Sequence, residues 1–147
     1  MIAAKKSTAE HITDVVKTYY AVPHDTTDIT RLIGIRAKLA VLLFGFSIEV
    51  GDLYTERAGA EYRRKSAQGK VMAKAFADNK SAAAAGELAR IETDEQIKDE
   101  VMSDALYRSA YLILTQGNEV LAAIQQHIAH ARREHHAETT NQGSQTV

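Results

Sequence analysis

Two oppositely charged segments follow one another in the sequence, and they are the first place where residue types could support chemistry. Residues 57–80 carry seven basic and two acidic side chains, whereas residues 87–104 carry seven acidic and two basic ones. Their net charges of +5 and −5 cancel, so the whole chain has a formal net charge of only −1 at pH 7. A charge contrast of this kind indicates either a binding surface or two helices that balance each other.

The basic segment is the candidate nucleic-acid surface. Arg63, Lys70 and Lys74 are spaced i, i+7 and i+11, which places them on one face of a helix. Such a row can follow a phosphate backbone, and Tyr62 or Phe76 could stack on unpaired bases. The alternative is a solvated helix face that the acidic segment neutralises. The candidate nucleic-acid-binding residues are Arg57, Arg63, Arg64, Lys65, Lys70 and Lys74.

Four histidines near the C-terminus form the second candidate site. His127, His130 and Glu134 are spaced i, i+3 and i+7 and share a helical face that could hold a divalent metal. No obvious fourth ligand accompanies them, and histidines at a helix C-terminus also interact favourably with the helix dipole. We therefore predict no metal site and no cofactor.

Patterns typical of enzymes do not occur. The eight glycines are isolated rather than grouped in a phosphate-binding loop, and there is no cysteine to act as a nucleophile. No serine follows the strand–turn–helix pattern of a hydrolase, and the carboxylates of residues 87–104 are spread around a helix. We predict that the protein is not an enzyme.

The composition predicts a single all-α domain. The chain has 147 residues, 45% of them apolar and 25% charged, with one proline. The polar residues 7–11 follow Lys5 and Lys6 where a signal peptide needs an apolar core, and the apolar run 39–46 is too short to span a bilayer. We therefore expect no membrane association and a cytoplasmic location, which is the host cell cytoplasm if a phage encodes the chain.

The helix signals predict a long antiparallel hairpin preceded by a short helix. Apolar spacing predicts a first helix over residues 8–20, a second over 29–78 and a return helix over 81–136. Ser81 is a good N-cap, which predicts a turn at residues 79–81. Residues 1–138 are then one helical-hairpin domain, and the polar residues 139–147 are expected to form a disordered tail.

Folding the hairpin near Lys80 places Leu43 opposite Gly117, but the same register forces no individual salt bridge. Further predicted opposite pairs are Phe46 with Leu114, Val50 with Ala110, and Tyr54 with Leu106. The stripes resemble a coiled-coil heptad seam, and residues 40–46 are apolar on all sides, which predicts a homo-oligomer. The predicted oligomer core comprises Leu39, Leu43, Phe46, Val50, Ile113, Gly117, Val120 and Ile124.

The layout of helices resembles that of the phage recombination mediator proteins of the UvsY type. The resemblance lies in Asp25-Thr26-Thr27 before the long helix, in the basic residues 63–74 and in residues 112–130, with the closest local likeness at 117–124. It implies a small all-α oligomer that binds single-stranded DNA. It also implies help in loading a recombinase onto strands covered by single-strand-binding protein.

Two functions from different classes follow as expectations. The first is a non-enzymatic phage DNA recombination accessory, or mediator, that binds single-stranded DNA and assists recombinase loading. Its partners would be single-stranded DNA, further copies of the chain, and a recombinase or single-strand-binding protein. The alternative is a structural or adaptor oligomer of phage origin that recognises a protein partner and does not bind nucleic acid.

Overall fold

The computed structural model describes the backbone of residues 6–143 and the side chains of residues 6–137. The described chain is all-helical and contains no strand. The helices are α1 (Thr8–Tyr20), α2 (Ile29–Ala77), α3 (Ala82–Glu92) and α4 (Asp94–Gly143). The prediction of an all-α protein with two long helices is confirmed. None of these helices combines the length and apolarity that crossing a membrane requires.

The chain divides into two compact units, where the sequence predicts a single domain over residues 1–138. Of the described residues, 6–48 and 112–143 belong to the first unit and 49–111 belong to the second. Each unit includes one part of α2 and one part of α4, so each has its own helix packing.

In the first unit, α1 is anchored by a cap at its start and an apolar face along its length. Ser7 accepts a hydrogen bond from the Glu10 amide, and the Glu10 carboxylate accepts one from the Ser7 amide at 2.7 Å. The Ser7 amide and the Ser7 hydroxyl both donate to the Glu10 carboxylate, which stabilises its charged form and lowers the pKa of Glu10. Ile12 and Val15 are buried on the opposite side of the helix. The cap and the apolar stripe thus account for a short helix at this position.

The apolar stripes of α2 and α4 form the core of the first unit. Leu32, Leu39 and Ile124 are fully shielded from solvent. Seven of the eight residues predicted to form an intersubunit core are buried within one chain, and the eighth, Ile113, is half-buried. The chain's own helices already cover these side chains, so a second copy would meet other residues of the same segment.

A notch at Gly117 sets the spacing between α2 and α4 in the first unit. A Cβ atom added at Gly117 would lie 2.4 Å from Leu43 Cδ2, closer than two carbon atoms can approach. The absence of a side chain is therefore what lets Leu43 pack there. The predicted pairing of Leu43 with Gly117 is confirmed.

In the second unit, α2 ends at the predicted turn. Asn79 adopts a left-handed conformation with φ of 60°, its amide donates to Phe76 O, and the Lys80 amide donates to Ala75 O, both at 3.0 Å. This pair of bonds is the Schellman motif, which closes a helix C-terminus. Ser81 then caps α3 by accepting a bond from the Ala84 amide. The prediction of a turn at residues 79–81 is confirmed.

The return helix differs from the prediction by an internal break and by a longer C-terminal end. The sequence predicts one helix over residues 81–136, but α3 ends at Glu92 and α4 begins at Asp94. The hydroxyl of the buried Thr93 donates to Ala89 O at 2.6 Å, a backbone contact that bends helices. At the C-terminal end, α4 continues to Gly143, into the predicted tail of residues 139–147, whose last four residues lie outside those described.

Replacing Gly117 with alanine tests the notch. The added methyl group collides with the buried Leu43, so Gly117→Ala should destabilise the protein by about 1–3 kcal/mol despite the better helix propensity of alanine. The matched control is Gly45→Ala in the same unit, because a Cβ there meets no atom within 4 Å. The control should stabilise the protein by up to about 1 kcal/mol. Urea unfolding curves measure both, and equal stabilisation by the two variants would contradict the notch.

Candidate nucleic-acid interface

Three arginines of the predicted nucleic-acid surface form ion pairs with acidic residues of α4 in the second unit. Arg57 Nε lies 2.7 Å from Asp104 Oδ1, and Arg63 Nη2 lies 2.8 Å from Asp99 Oδ2. Arg64 contacts Glu100 through both Nε and Nη2. From Arg57 to Arg63 the residue number rises along α2 while that of the partner falls from Asp104 to Asp99, so the two helices run in opposite directions in this unit.

The three pairs differ in how well water can reach them. The Arg64 and Glu100 side chains are 23% and 24% exposed, whereas those of Arg63 and Asp99 are 57% and 49% exposed. Water and salt weaken an exposed pair, so the Arg63 pair contributes little to stability. The Arg64 pair is better shielded and also includes Gln68, which accepts from Arg64 Nη1 at 2.8 Å. Arg64 is therefore the arginine held most firmly.

Asp104 is the centre of the third pair and of a small polar cleft. Its Oδ2 lies 2.6 Å from Arg108 Nε, while Arg57 approaches Oδ1 without the alignment of a hydrogen bond. Arg57 also lies over the ring of Tyr107, with its Cζ 5.3 Å from the ring centroid, a cation–π contact. The cleft has a volume of about 390 Å³ and is lined by Arg57, Glu61, Glu100, Val101, Asp104 and Arg108. Three carboxylates among six lining residues make it a poor site for phosphate.

The three lysines of the candidate surface fall into two groups. Lys65 pairs with Glu61 one turn earlier on α2. Lys70 and Lys74 are exposed, and among the described residues neither has an acidic group within 4 Å. They are four residues apart, so they project from the same face of α2. The candidate surface therefore has two unpaired lysines toward the end of α2, whereas its three arginines are paired with carboxylates of α4.

The turn at the end of α2 adds a third base to this region. Lys74 and Lys80 line one cleft of about 120 Å³ together with Asp78 and Glu92. The aromatic side chains proposed to stack on bases, Tyr62 and Phe76, are both exposed. Bases and aromatic rings are thus available on α2, but the acidic side chains of Asp78 and Glu92 lie close to the turn.

The sequence does not predict the individual ion pairs of this surface. Its register places Lys70 near Arg90 and requires only that the two opposite charges face each other. The observed partners lie a few residues from that register, and each residue shifts a side chain about 1.5 Å along the helix. The signal that could have identified them is the hairpin register itself, since Arg57, Arg63 and Arg64 each pair with an acid within four residues of the position that the register places opposite them.

The structure does not bring all three residues of the candidate metal site in the first unit together. The ring of His127 lies edge-on to Tyr19 with centroids 6.1 Å apart, and its Nε2 is buried without a hydrogen-bond partner among the described residues. Burial raises the pKa of Tyr19, because it disfavours the charged form of the phenol. His130 instead approaches Glu134 at 3.5 Å. No group of three His, Asp or Glu side chains within residues 6–137 is placed to hold a metal ion.

Comparisons with known proteins identify no relative of this chain. No protein-family model matches the sequence, no curated protein matches it, and no solved structure matches the fold.

The Arg64–Glu100 pair is better shielded from water than the neighbouring Arg63–Asp99 pair, so removing one acid at a time tests how much each pair stabilises the fold. Glu100→Gln removes the shielded partner of Arg64 and should lower the free energy of unfolding by about 1 kcal/mol, because the guanidinium is left partly buried and unpaired. Asp99→Asn removes the exposed partner of Arg63 and should cost only a few tenths of a kcal/mol. Urea unfolding of both variants measures the difference. A loss no larger for Glu100→Gln than for Asp99→Asn would contradict it.

Zinc tests the histidine cluster separately. If His127 is a packing residue against Tyr19 and His130 pairs only with Glu134, stoichiometric zinc should leave the melting temperature unchanged. Thermal unfolding with zinc and with a chelator measures the effect. A rise of several degrees that is lost in His130→Ala would establish a metal site and overturn the prediction.

Proposed function

We propose that this chain is a non-enzymatic accessory of phage DNA recombination that binds single-stranded DNA and assists the loading of a recombinase. One observation carries the proposal: Lys70 and Lys74 project from one face of α2 and have no acidic partner within 4 Å among the described residues. The resemblance of the sequence to phage recombination mediator proteins supports it. The proposed assembly is a homo-oligomer in the host cytoplasm.

The unpaired lysines would contact phosphates first. Each lysine that neutralises a phosphate releases counterions from the DNA, which favours binding without regard to base sequence. Tyr62 and Phe76 are exposed on the same helix and would stack on unpaired bases, an interaction that every base can make. Binding would therefore be sensitive to salt and tolerant of sequence.

The arginines would contribute according to how firmly the carboxylates hold them. Arg63 lies in an exposed pair that salt screens, so a phosphate can replace Asp99 at little cost. Arg57 and Arg64 lie in better-shielded pairs. Moving Arg64 to DNA would leave Glu100 unpaired, and moving Arg57 would leave Asp104 with Arg108 alone. We infer that the DNA contact is centred on Lys70 and Lys74, with Arg63 as an auxiliary base.

The alternative function, an oligomer that recognises a protein partner without binding nucleic acid, is supported by a different observation. The three arginine pairs cancel much of the positive charge of the candidate surface. Large apolar side chains are exposed on the same helix at Val41, Phe44 and Ile48. A neutralised charged surface and an exposed apolar row are both typical of protein–protein contacts.

The salt dependence of DNA binding distinguishes the two functions. The affinity for DNA falls as salt rises, so the slope of log K against log salt is negative. The double variant Lys70→Gln/Lys74→Gln should make this slope less negative by about 1.4 for each engaged subunit, since each phosphate contact on a single strand contributes about 0.7. Helix content should stay the same, because glutamine is nearly as good a helix former as lysine. Fluorescence anisotropy with a labelled single-stranded oligonucleotide measures affinity and slope.

The control for this experiment is Lys98→Gln. Lys98 is an exposed lysine on α4 that pairs with Asp94, so its loss changes the net charge without removing an unpaired base. It should leave the salt slope unchanged. Wild-type protein that does not bind the oligonucleotide at low salt would rule out the mediator function and favour the adaptor. Binding that is unaffected by the double variant would show that the DNA site lies elsewhere.

A further inference from the structure

The exposed apolar row of α2 consists of side chains that a folded chain rarely leaves in water. Val41 is 73% exposed, Phe44 74% and Ile48 58%. Gly34 and Ala37, which are also exposed, extend the row toward the start of the helix. The five positions are separated by three, four, three and four residues, the spacing of a coiled-coil seam, and none of them is charged.

This row lies on the side of α2 that faces away from the core of the first unit. At about 100° per residue, Val41, Phe44 and Ile48 are centred roughly 160° around the helix from the buried stripe. That stripe consists of Leu32, Leu39, Leu43 and Phe46. From the sequence alone, the two faces cannot be told apart, because residues 40–46 are apolar on all sides of the helix. The structure shows that one face is covered by the chain itself and the other is not.

The charges beside the row indicate what covers it. Residues 31–38 of α2 carry three bases, Arg31, Arg36 and Lys38, and no acid, whereas residues 49–56 carry three acids, Glu49, Asp52 and Glu56, and no base. A second α2 in antiparallel orientation brings each basic segment beside an acidic one. A parallel partner would place like charges together, which is unfavourable. The surface is thus complementary to itself in one orientation.

We propose that α2 pairs in antiparallel orientation with α2 of a second copy of this chain, through Gly34, Ala37, Val41, Phe44 and Ile48. Lys38 and Asp52 flank the row on the same side and are fourteen residues apart, so a two-fold axis near residue 46 places Lys38 beside Asp52 of the partner subunit. Phe44 then packs beside Ile48 of the partner subunit, and Val41 packs beside the partner's Gly51. This inference specifies the homo-oligomer of the proposed function and does not depend on DNA binding.

Disulfide cross-linking reads the orientation directly, because the chain contains no cysteine of its own. The proposed register places Ala37 opposite Thr55 of the partner subunit. Ala37→Cys mixed with Thr55→Cys should therefore form a disulfide-linked dimer under mild oxidation. Neither variant alone should cross-link, since the two copies of residue 37 are about 27 Å apart along an antiparallel pair. Cross-linking of either variant with itself would show a parallel pair and overturn the proposal, as would failure of the mixture.

Light scattering of Phe44→Glu tests the apolar row itself. Because Phe44 is exposed, the variant should keep its helix content but become monomeric at micromolar concentration. The control Ile91→Glu alters an exposed apolar residue of α3 and should leave the dimer intact. Wild-type protein that is already monomeric would overturn this inference and leave DNA binding open. A wild-type dimer that binds no DNA would reject the mediator function alone.

Discussion

The burial of one apolar stripe of α2 is the constraint on which the first unit depends. Leu39 and Leu43 are shielded by the chain's own helices, and Leu43 reaches its place only because Gly117 has no side chain. Close packing of this kind tolerates little change in volume. It also determines which side of α2 faces outward. Val41 and Phe44 are exposed because they lie on that outward side.

In the second unit, ion pairs determine which basic side chains of residues 57–80 are accessible to a ligand. A formal count assigns this segment five net positive charges, but Arg57, Arg63 and Arg64 each have a carboxylate partner. Lys70 and Lys74, which have no acidic partner within 4 Å among the described residues, are therefore more accessible to phosphate than these arginines. A count of charges in the sequence overstates the size of a nucleic-acid surface whenever an acidic helix lies beside the basic one.

The two proposals rest on separate parts of α2 and on different forces. DNA binding would depend on the long-range, salt-sensitive attraction between lysines and phosphates, whereas self-association would depend on short-range burial of apolar side chains. Phe44 and Lys70 can therefore be altered independently. Such a division is common in helical proteins, in which one face of a helix supports the fold and others bind partners.

The sequence by itself determined the features that depend on neighbours along the chain. These features include the all-helical class, the turn at residues 79–81 and the cap at Ser81, because helix propensity and capping act over a few residues. The pairing of Leu43 with Gly117 also followed, since an apolar stripe restricts the register. Only the tertiary structure decided which acid meets Arg64 and which face of residues 40–48 is buried. Those outcomes depend on shifts of a few ångströms between helices distant in sequence, which no local pattern records.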